Sequence, residues 1–391
     1  MNNERASVDN SWIEEVRQLL SHWESQYTSD ATLNVIASPD LDGVLSILLL
    51  QKHYSKLGRV VRVIGIYTTI ELYLCDEADE QAAHKALWVD HDMLDNLLSI
   101  GNHLSRFACN DGRERINRHP LAFNLNDRFG QGYADSFRGL QATQRDKCPF
   151  GTSHIIAQAL MRDELDQLAQ RQPYHSIFAY FAHADSLWLC AHWYTPSTRL
   201  WYQSAFGSAA WLRFATEPTV YSSDARRLEQ HERLVKKLSI VCHGSFQKST
   251  SSSIDEHETC VKRLLTGNAQ CLDAERWASL RGNQGLAPNY FLTVEQRNGG
   301  WLKAFCAMFQ LVGASFSEEC LQTLVLPHCI TSQHKGQLHQ VDPSEWTCAN
   351  DFEHLMQAEH ANSIAITNHR TLRYTNNLFE CSKHTCTSVA T

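Results

Sequence analysis

The stretch ATLNVIASPDLDGVLS, residues 31–46, decides the fold class. Leu33, Asn34, Val35, Ile36 and Ala37 make a short apolar run of strand length. Ser38, Pro39, Asp40, Leu41, Asp42 and Gly43 follow as an acidic turn, and Val44, Ile47, Leu48 and Leu50 open an apolar helix. Strand, turn and helix in that order begin a βαβ unit, and open α/β sheets gather ligands beyond the carboxyl ends of their strands. Two aspartates two residues apart at such an end repel each other. A helix N-terminus favours one of them. A hard divalent cation relieves both, and oxygen-rich sites suit Mg²⁺ or Mn²⁺. The plainer alternative makes one aspartate a helix cap and the other a solvated turn residue.

Upstream, Ser11-Trp12-Ile13-Glu14 has capping-box spacing, and Trp12, Val16, Leu19, Leu20 and Trp23 recur at helical intervals. Downstream, the helix stops near Gly58, and residues 60–67 are rich in β-branched side chains, which predicts the second strand. Ala86, Leu87, Trp88 and Val89 form another apolar strand that runs into Asp90, His91 and Asp92, repeating the pattern of the first acidic tip. The run SIFAYFA, residues 176–182, fits a strand or a buried helix and ends near a third acidic position, Asp185. Gly151, Thr152 and Ser153 open an amphipathic helix, a natural anion seat because its free N–H groups and dipole face one way. An ordinary hydroxyl cap explains them as well. Trp193 and Trp201 read as core, and residues 301–312 as a helix. Residues 363–374 read as a strand, and the charged run 223–239 as a helix with a solvated face.

With 391 residues, 43% of them hydrophobic and 20% charged, the chain has the material for two globular domains. A net charge of −8 supplies no overall basic field for a nucleic acid. Thirteen cysteines without a C-x-x-C pair favour reduced thiols and a cytoplasmic setting, and no apolar run reaches membrane-spanning length.

With Asp40, Asp42, Asp90, His103 and Asp185 in order on successive elements, the chain resembles the DHH phosphoesterase superfamily. That group includes RecJ-type exonucleases, nanoRNases, cyclic-dinucleotide phosphodiesterases and family II pyrophosphatases. The likeness is close over about the first 190 residues. The family's H-x-D-x-D-G falls on Ser38-Pro39-Asp40-Leu41-Asp42-Gly43, with Ser38 where a metal-binding histidine is expected. Asp90 takes the second motif, and Gly101-Asn102-His103 the place of Asp-His-His, keeping the last histidine. A second alignment instead takes Asp90-His91-Asp92 as the third motif. Asp185 is the fourth.

The resemblance implies an α/β domain, residues 1–245, with a mostly parallel sheet and helices on both faces. A linker over residues 246–254 and a smaller C-terminal α+β domain, residues 255–391, complete the expected layout. It implies two Mn²⁺ or Mg²⁺ ions held by Asp40, Asp42, Asp90 and Asp185, with His91 or Asp92 replacing the missing imidazoles. His103 would contact the scissile phosphate, and Ser38, Asn102, Arg106, Asn124, Asn126, Gly151, Thr152 and Ser153 would bind substrate. The expected activity is hydrolysis of phosphodiester bonds in single-stranded nucleic acid or short oligonucleotides. A cyclic dinucleotide or other small phosphoester is the alternative substrate, and a catalytically degenerate nucleotide- or protein-binding module the alternative role. No membrane partner is expected, and a homodimer stays open.

Overall fold

A computed structural model describes residues 10–28, 32–68, 70–94, 97–102, 107–108, 114–115, 121–125, 148–187, 195–217, 226, 233, 301–341, 361–367, 371–376 and 378–379. The architecture is α/β, built on a seven-stranded, mostly parallel sheet. Strands β1 (Leu33–Ala37), β2 (Val61–Tyr67), β3 (Glu71–Cys75), β4 (Leu87–Val89), β5 (Leu98–Gly101), a short hairpin of β6 (Phe107–Ala108) with β7 (Glu114–Arg115), and β8 (Ala122–Asn124) come in chain order. Far along the chain, β9 (Ile330–Lys335) completes the large sheet in the order β8-β5-β4-β1-β2-β3-β9. The five strands from β8 to β2 are mutually parallel, whereas β3 is antiparallel to both β2 and β9.

From β1 the chain steps outward to β2 in one direction, and from β4 to β5 and β8 in the other. The crevice between the carboxyl ends of β1 and β4 is therefore a topological switch point, where helices on opposite sides diverge and leave room for a ligand. Asp40 and Asp42 follow β1, and Asp90 follows β4. Topology alone brings the first two acidic tips together.

On one face lie α1 (Ser11–Ser25), α2 (Leu41–Ser55), α4 (Thr152–Arg171) and α5 (Ser176–His183), with α3 (Glu80–Lys85) on the other. The expected face of α1 is buried through Trp12, Val16, Leu19, Leu20 and Trp23. The capping box at Ser11 is not formed: the helix starts at Ser11 itself, after Asn10, with no side-chain cap. Helix α2 is buried almost all round, which matches its unbroken apolar sequence. Residues 176–182, open between strand and helix in the sequence, belong to α5, and Asp185 sits in the 3₁₀ turn after it rather than at a strand tip.

Further α-helices among the described residues are α6 (Thr195–Ser204), α7 (Arg213–Thr216), α8 (Trp301–Gly313) and α9 (Glu318–Thr323). Trp201 is buried as expected of a core residue. The last third of the chain joins the first: β9 pairs with β3, the Cys320 thiol donates to Leu48 O, and Gln51 Nε2 donates to Thr323 Oγ1 at 2.7 Å. The run 363–374 is not one strand but an antiparallel hairpin. Its strands, β11 (Ala361–Thr367) and β12 (Thr371–Asn376), form a second sheet with β10 (Gln337–Val341) in the order β10-β12-β11. The linker 246–254, Trp193 and nearly all of residues 223–239 lie outside the described residues. No helix among the described residues is long and apolar enough to cross a membrane.

Candidate functional site

Asp40 is the N-cap of α2: its backbone is extended and its Oδ1 accepts from Gly43 N at 2.9 Å. One half of the plainer sequence reading is therefore met. The other half is not, because Asp42 is buried, 2% exposed, rather than solvated. Its carboxylate accepts from Thr152 N at 2.6 Å, from Ser153 N at 3.0 Å and from the Ser153 hydroxyl. The anion seat at the start of α4 thus holds a carboxylate of the chain itself, which satisfies free N–H groups of the first turn and faces the positive end of the dipole.

Two glycines make these approaches feasible. A Cβ on Gly151 would lie 2.6 Å from both Asp42 carboxylate oxygens, and one on Gly43 would overlap the Ser38 carbonyl oxygen. Gly151→Ala is expected to cost roughly 1–3 kcal/mol, since the clash must displace Asp42 or the first turn of α4. A drop in the urea midpoint checks it; an unchanged midpoint would show that Asp42 moves freely.

Ser38 links the two strand tips. Its hydroxyl lies 2.8 Å from Asp40 Oδ1 and also in hydrogen-bond contact with Asp90 Oδ2. One hydroxyl hydrogen serves one acceptor, so the second contact requires a proton on a carboxyl group. Asp90 is the group suited to carry it. Burial, then the charges of Asp40, Asp42 and Asp185, hold its carboxyl well above the usual range. Burial likewise pushes Asp40 up to about 6, and burial together with the Asp185 and Asp40 charges pushes Asp42 up to about 7. These four acids form one electrostatic cluster at the switch point.

Asp90 and Asp185 both adopt left-handed backbone conformations, with φ of 63° and 49°. Such residues cost of order 1–3 kcal/mol and persist where the surroundings over-determine them. Asp90 N donates to Ile100 O at 2.9 Å, and Thr152 Oγ1 reaches Ile100 O at 3.3 Å, so β5 and α4 both brace the turn. The Asn102 amide donates to Asp185, and the Asn124 amide donates to Asp92. His91 is buried, its ring 4.9 Å from that of Tyr67 in an edge arrangement.

Of the sequence-predicted residues, Ser38, Asp40, Asp42, Asp90, Thr152 and Ser153 share hydrogen bonds with Gly151 packed against Asp42, Asp185 acts on the three buried aspartates through its charge, and Asn102–Asp185 and Asn124–Asp92 stand beside them as separate pairs. His103, Arg106 and Asn126 lie outside the described residues. His154 escaped the sequence reading. Gly151 N–H can only donate to its Nδ1, at 2.9 Å, which leaves Nε2–H to donate to Phe181 O at 2.8 Å. Burial pushes it down to about 4. A neutral imidazole thus ties the start of α4 to α5, the helix leading to Asp185, and its only signal was its place three residues after Gly151.

No family model matches the chain, and no curated protein or solved structure matches it either.

The donor set is of the kind a hard cation takes, four carboxylates carrying an excess of charge. Among the described residues, however, no group of three or more His, Cys, Asp or Glu side chains is gathered as a metal cage. Hydrogen bonds to Gly43, Ser38, Thr152 and Ser153 occupy oxygens that a cation would use. Fit is therefore met in charge and donor type, and not in finished coordination geometry.

Proposed function

We propose that this chain is a divalent-cation-dependent phosphodiesterase of the DHH type, acting on single-stranded nucleic acid or short oligonucleotides. The observation that carries the reading is the burial of Asp40, Asp42 and Asp90 at the switch point beside the half-buried Asp185, whose charge raises the proton affinity of all three. Such a cluster repels a phosphate unless a cation neutralises it. Asp40, Asp42, Asp90 and Asp185 are the residues that would hold Mn²⁺ or Mg²⁺, with Asp92 and His91 beside them. A bound cation of this class lowers the pKa of water and neutralises charge on phosphoryl oxygens.

The chain's own groups supply the positioning. Asn102 and Asn124 orient Asp185 and Asp92 with amide N–H donors, which fix a carboxylate without cancelling its charge. Thr152 and Ser153 fix Asp42 in the same way. The preference for a strand over pyrophosphate comes from the sequence, where Arg106, Arg113, Arg115 and Arg118 follow β5. Mn²⁺-dependent release of mononucleotide from a labelled single strand, abolished by chelator, is the expected result. Hydrolysis of a cyclic dinucleotide alone would move the substrate to the smaller class, and turnover indifferent to Mn²⁺ and chelator would end the reading.

A catalytically silent module is the second reading, favoured by the Ser38 bridge, which replaces an expected metal-binding imidazole with a hydroxyl satisfied inside the protein. Calorimetric titration with Mn²⁺ separates the two: no binding leaves only the silent module.

Protons set the stability of the cation-free site. Folded Asp40 and Asp42 keep their protons to about 6 and about 7, and an unfolded aspartate loses its proton near 4. The folded state binds more protons between those values, so its advantage is complete below about pH 4 and lost as pH rises through about 7. Chelator-treated protein is expected to melt at a lower temperature at about pH 8 than at about pH 5, and a melting temperature that rises over this interval would contradict it.

A further inference from the structure

We propose that Tyr67 is a positioning residue, whose hydroxyl bond to Ser363 lets the C-terminal three-stranded sheet set the turn carrying Asp90, His91 and Asp92. The chemistry assigned to that turn rests on the phosphodiesterase reading; the coupling itself rests on contacts alone.

Tyr67 ends β2 at the carboxyl edge of the sheet and is wholly buried. Its ring lies 4.9 Å from His91 and 5.4 Å from Trp88, edge-on to both. Its hydroxyl lies 2.7 Å from Ser363 Oγ on β11 and is also bonded to the Thr375 side chain on β12. Ser363 and Thr375 are register partners in the hairpin, so both reach Tyr67 from one face of the small sheet. Burial pushes the phenol up to about 12, and Tyr67 keeps its proton at neutral pH.

The same Ser363 makes an antiparallel bridge with Met93, the residue after Asp92. Strand β11 therefore touches the acidic turn twice, through the backbone at Met93 and through Tyr67 onto the His91 ring. Leu378, just past β12, is buried with Tyr67, Trp88 and Met93 on the face of the large sheet away from α2. The turn itself is held in a left-handed conformation at Asp90, and its other side is fixed by Ile100 O and Asn124. A turn strained and held from two sides follows whichever support moves.

The test compares wild type, Tyr67→Phe, Ser363→Ala and the double variant of the full chain by amide hydrogen exchange and steady-state kinetics. Phenylalanine keeps the ring packing and removes only the hydroxyl. Exchange across residues 88–94 is expected to rise roughly fivefold in each single variant, the worth of about one buried hydrogen bond. The double variant is expected to exchange no faster than Tyr67→Phe, with α1 and α2 unchanged, and kcat to fall at constant KM. Unchanged exchange across 88–94, additive effects, an equal rise in α1, or unaltered kcat beside raised exchange would each overturn the positioning role. If wild type hydrolyses nothing yet the variants show the non-additive exchange pattern, the phosphodiesterase reading falls and the coupling stands. Activity in Mn²⁺ with unchanged exchange means the reverse.

Discussion

Asp90→Asn is expected to lower Mn²⁺-dependent turnover by about a thousandfold, the scale on which removing one preorganised electrostatic partner acts on a transition state. The substitution keeps the shape of the side chain and removes the carboxylate that a bound cation would need at Asp90. The same variant is expected to fold at least as well as wild type. An amide at position 90 offers Ser38 a neutral partner, as the protonated carboxyl does without a cation, and cannot ionise among Asp40, Asp42 and Asp185. Loss of activity with retained or raised melting temperature is the signature of a carboxylate kept for function rather than stability. A variant that melts lower and hydrolyses normally would show the reverse. Asparagine tolerates the left-handed φ of 63° as aspartate does, so the backbone conformation does not confound the comparison.

Trp12→Ala is expected to destabilise the protein by about 3–5 kcal/mol, the usual cost of removing a buried indole. Trp12 is fully buried, with its ring 6.1 Å from Phe123 on β8 and 5.7 Å from Phe206 after α6. Its Nε1 donates to Ala205 O at 3.1 Å. One side chain therefore joins the first helix to the far edge of the parallel strands and to the helical layer beyond. Trp12→Phe separates the contributions, because it keeps most of the packing and loses the N–H, costing roughly 1–2 kcal/mol. Chemical denaturation of both variants measures the two effects. Equal losses would mean that the hydrogen bond, not the ring, is what α1 supplies.

The parts of the fold legible in the sequence were those whose signal is local. Central parallel strands are buried on both faces and read as nearly continuous apolar runs, interrupted only by Asn34 and Arg62, so β1, β2 and β4 stood out. Acids at the ends of two such runs were legible for the same reason. Strand β9 was not, because ITSQHK is half-exposed near the sheet edge, and its partner β3 lies about 250 residues earlier, as in the 257-residue separation of Thr331 and Leu74. Helix α5 escaped a firm assignment because its six consecutive apolar residues, Ile177 to Ala182, are all buried and too few to show a period.

Residues 31–46 by themselves determined a strand, an acidic turn and a helix, and with Asp90 and Asp185 the identity of the charged groups. Where those groups meet was decided by tertiary structure. The reversal of strand order between β1 and β4 put Asp40, Asp42 and Asp90 into one crevice, and helix packing brought Asp185 beside them. Tertiary structure also decided which partners they have. Thr152 and Ser153, expected to face a phosphate, face Asp42, and Ser38 became the bridge between Asp40 and Asp90. The physical reason is range: periodicity and turn chemistry act over a few residues, whereas a buried carboxylate takes its proton affinity and its hydrogen bonds from whatever the fold places against it.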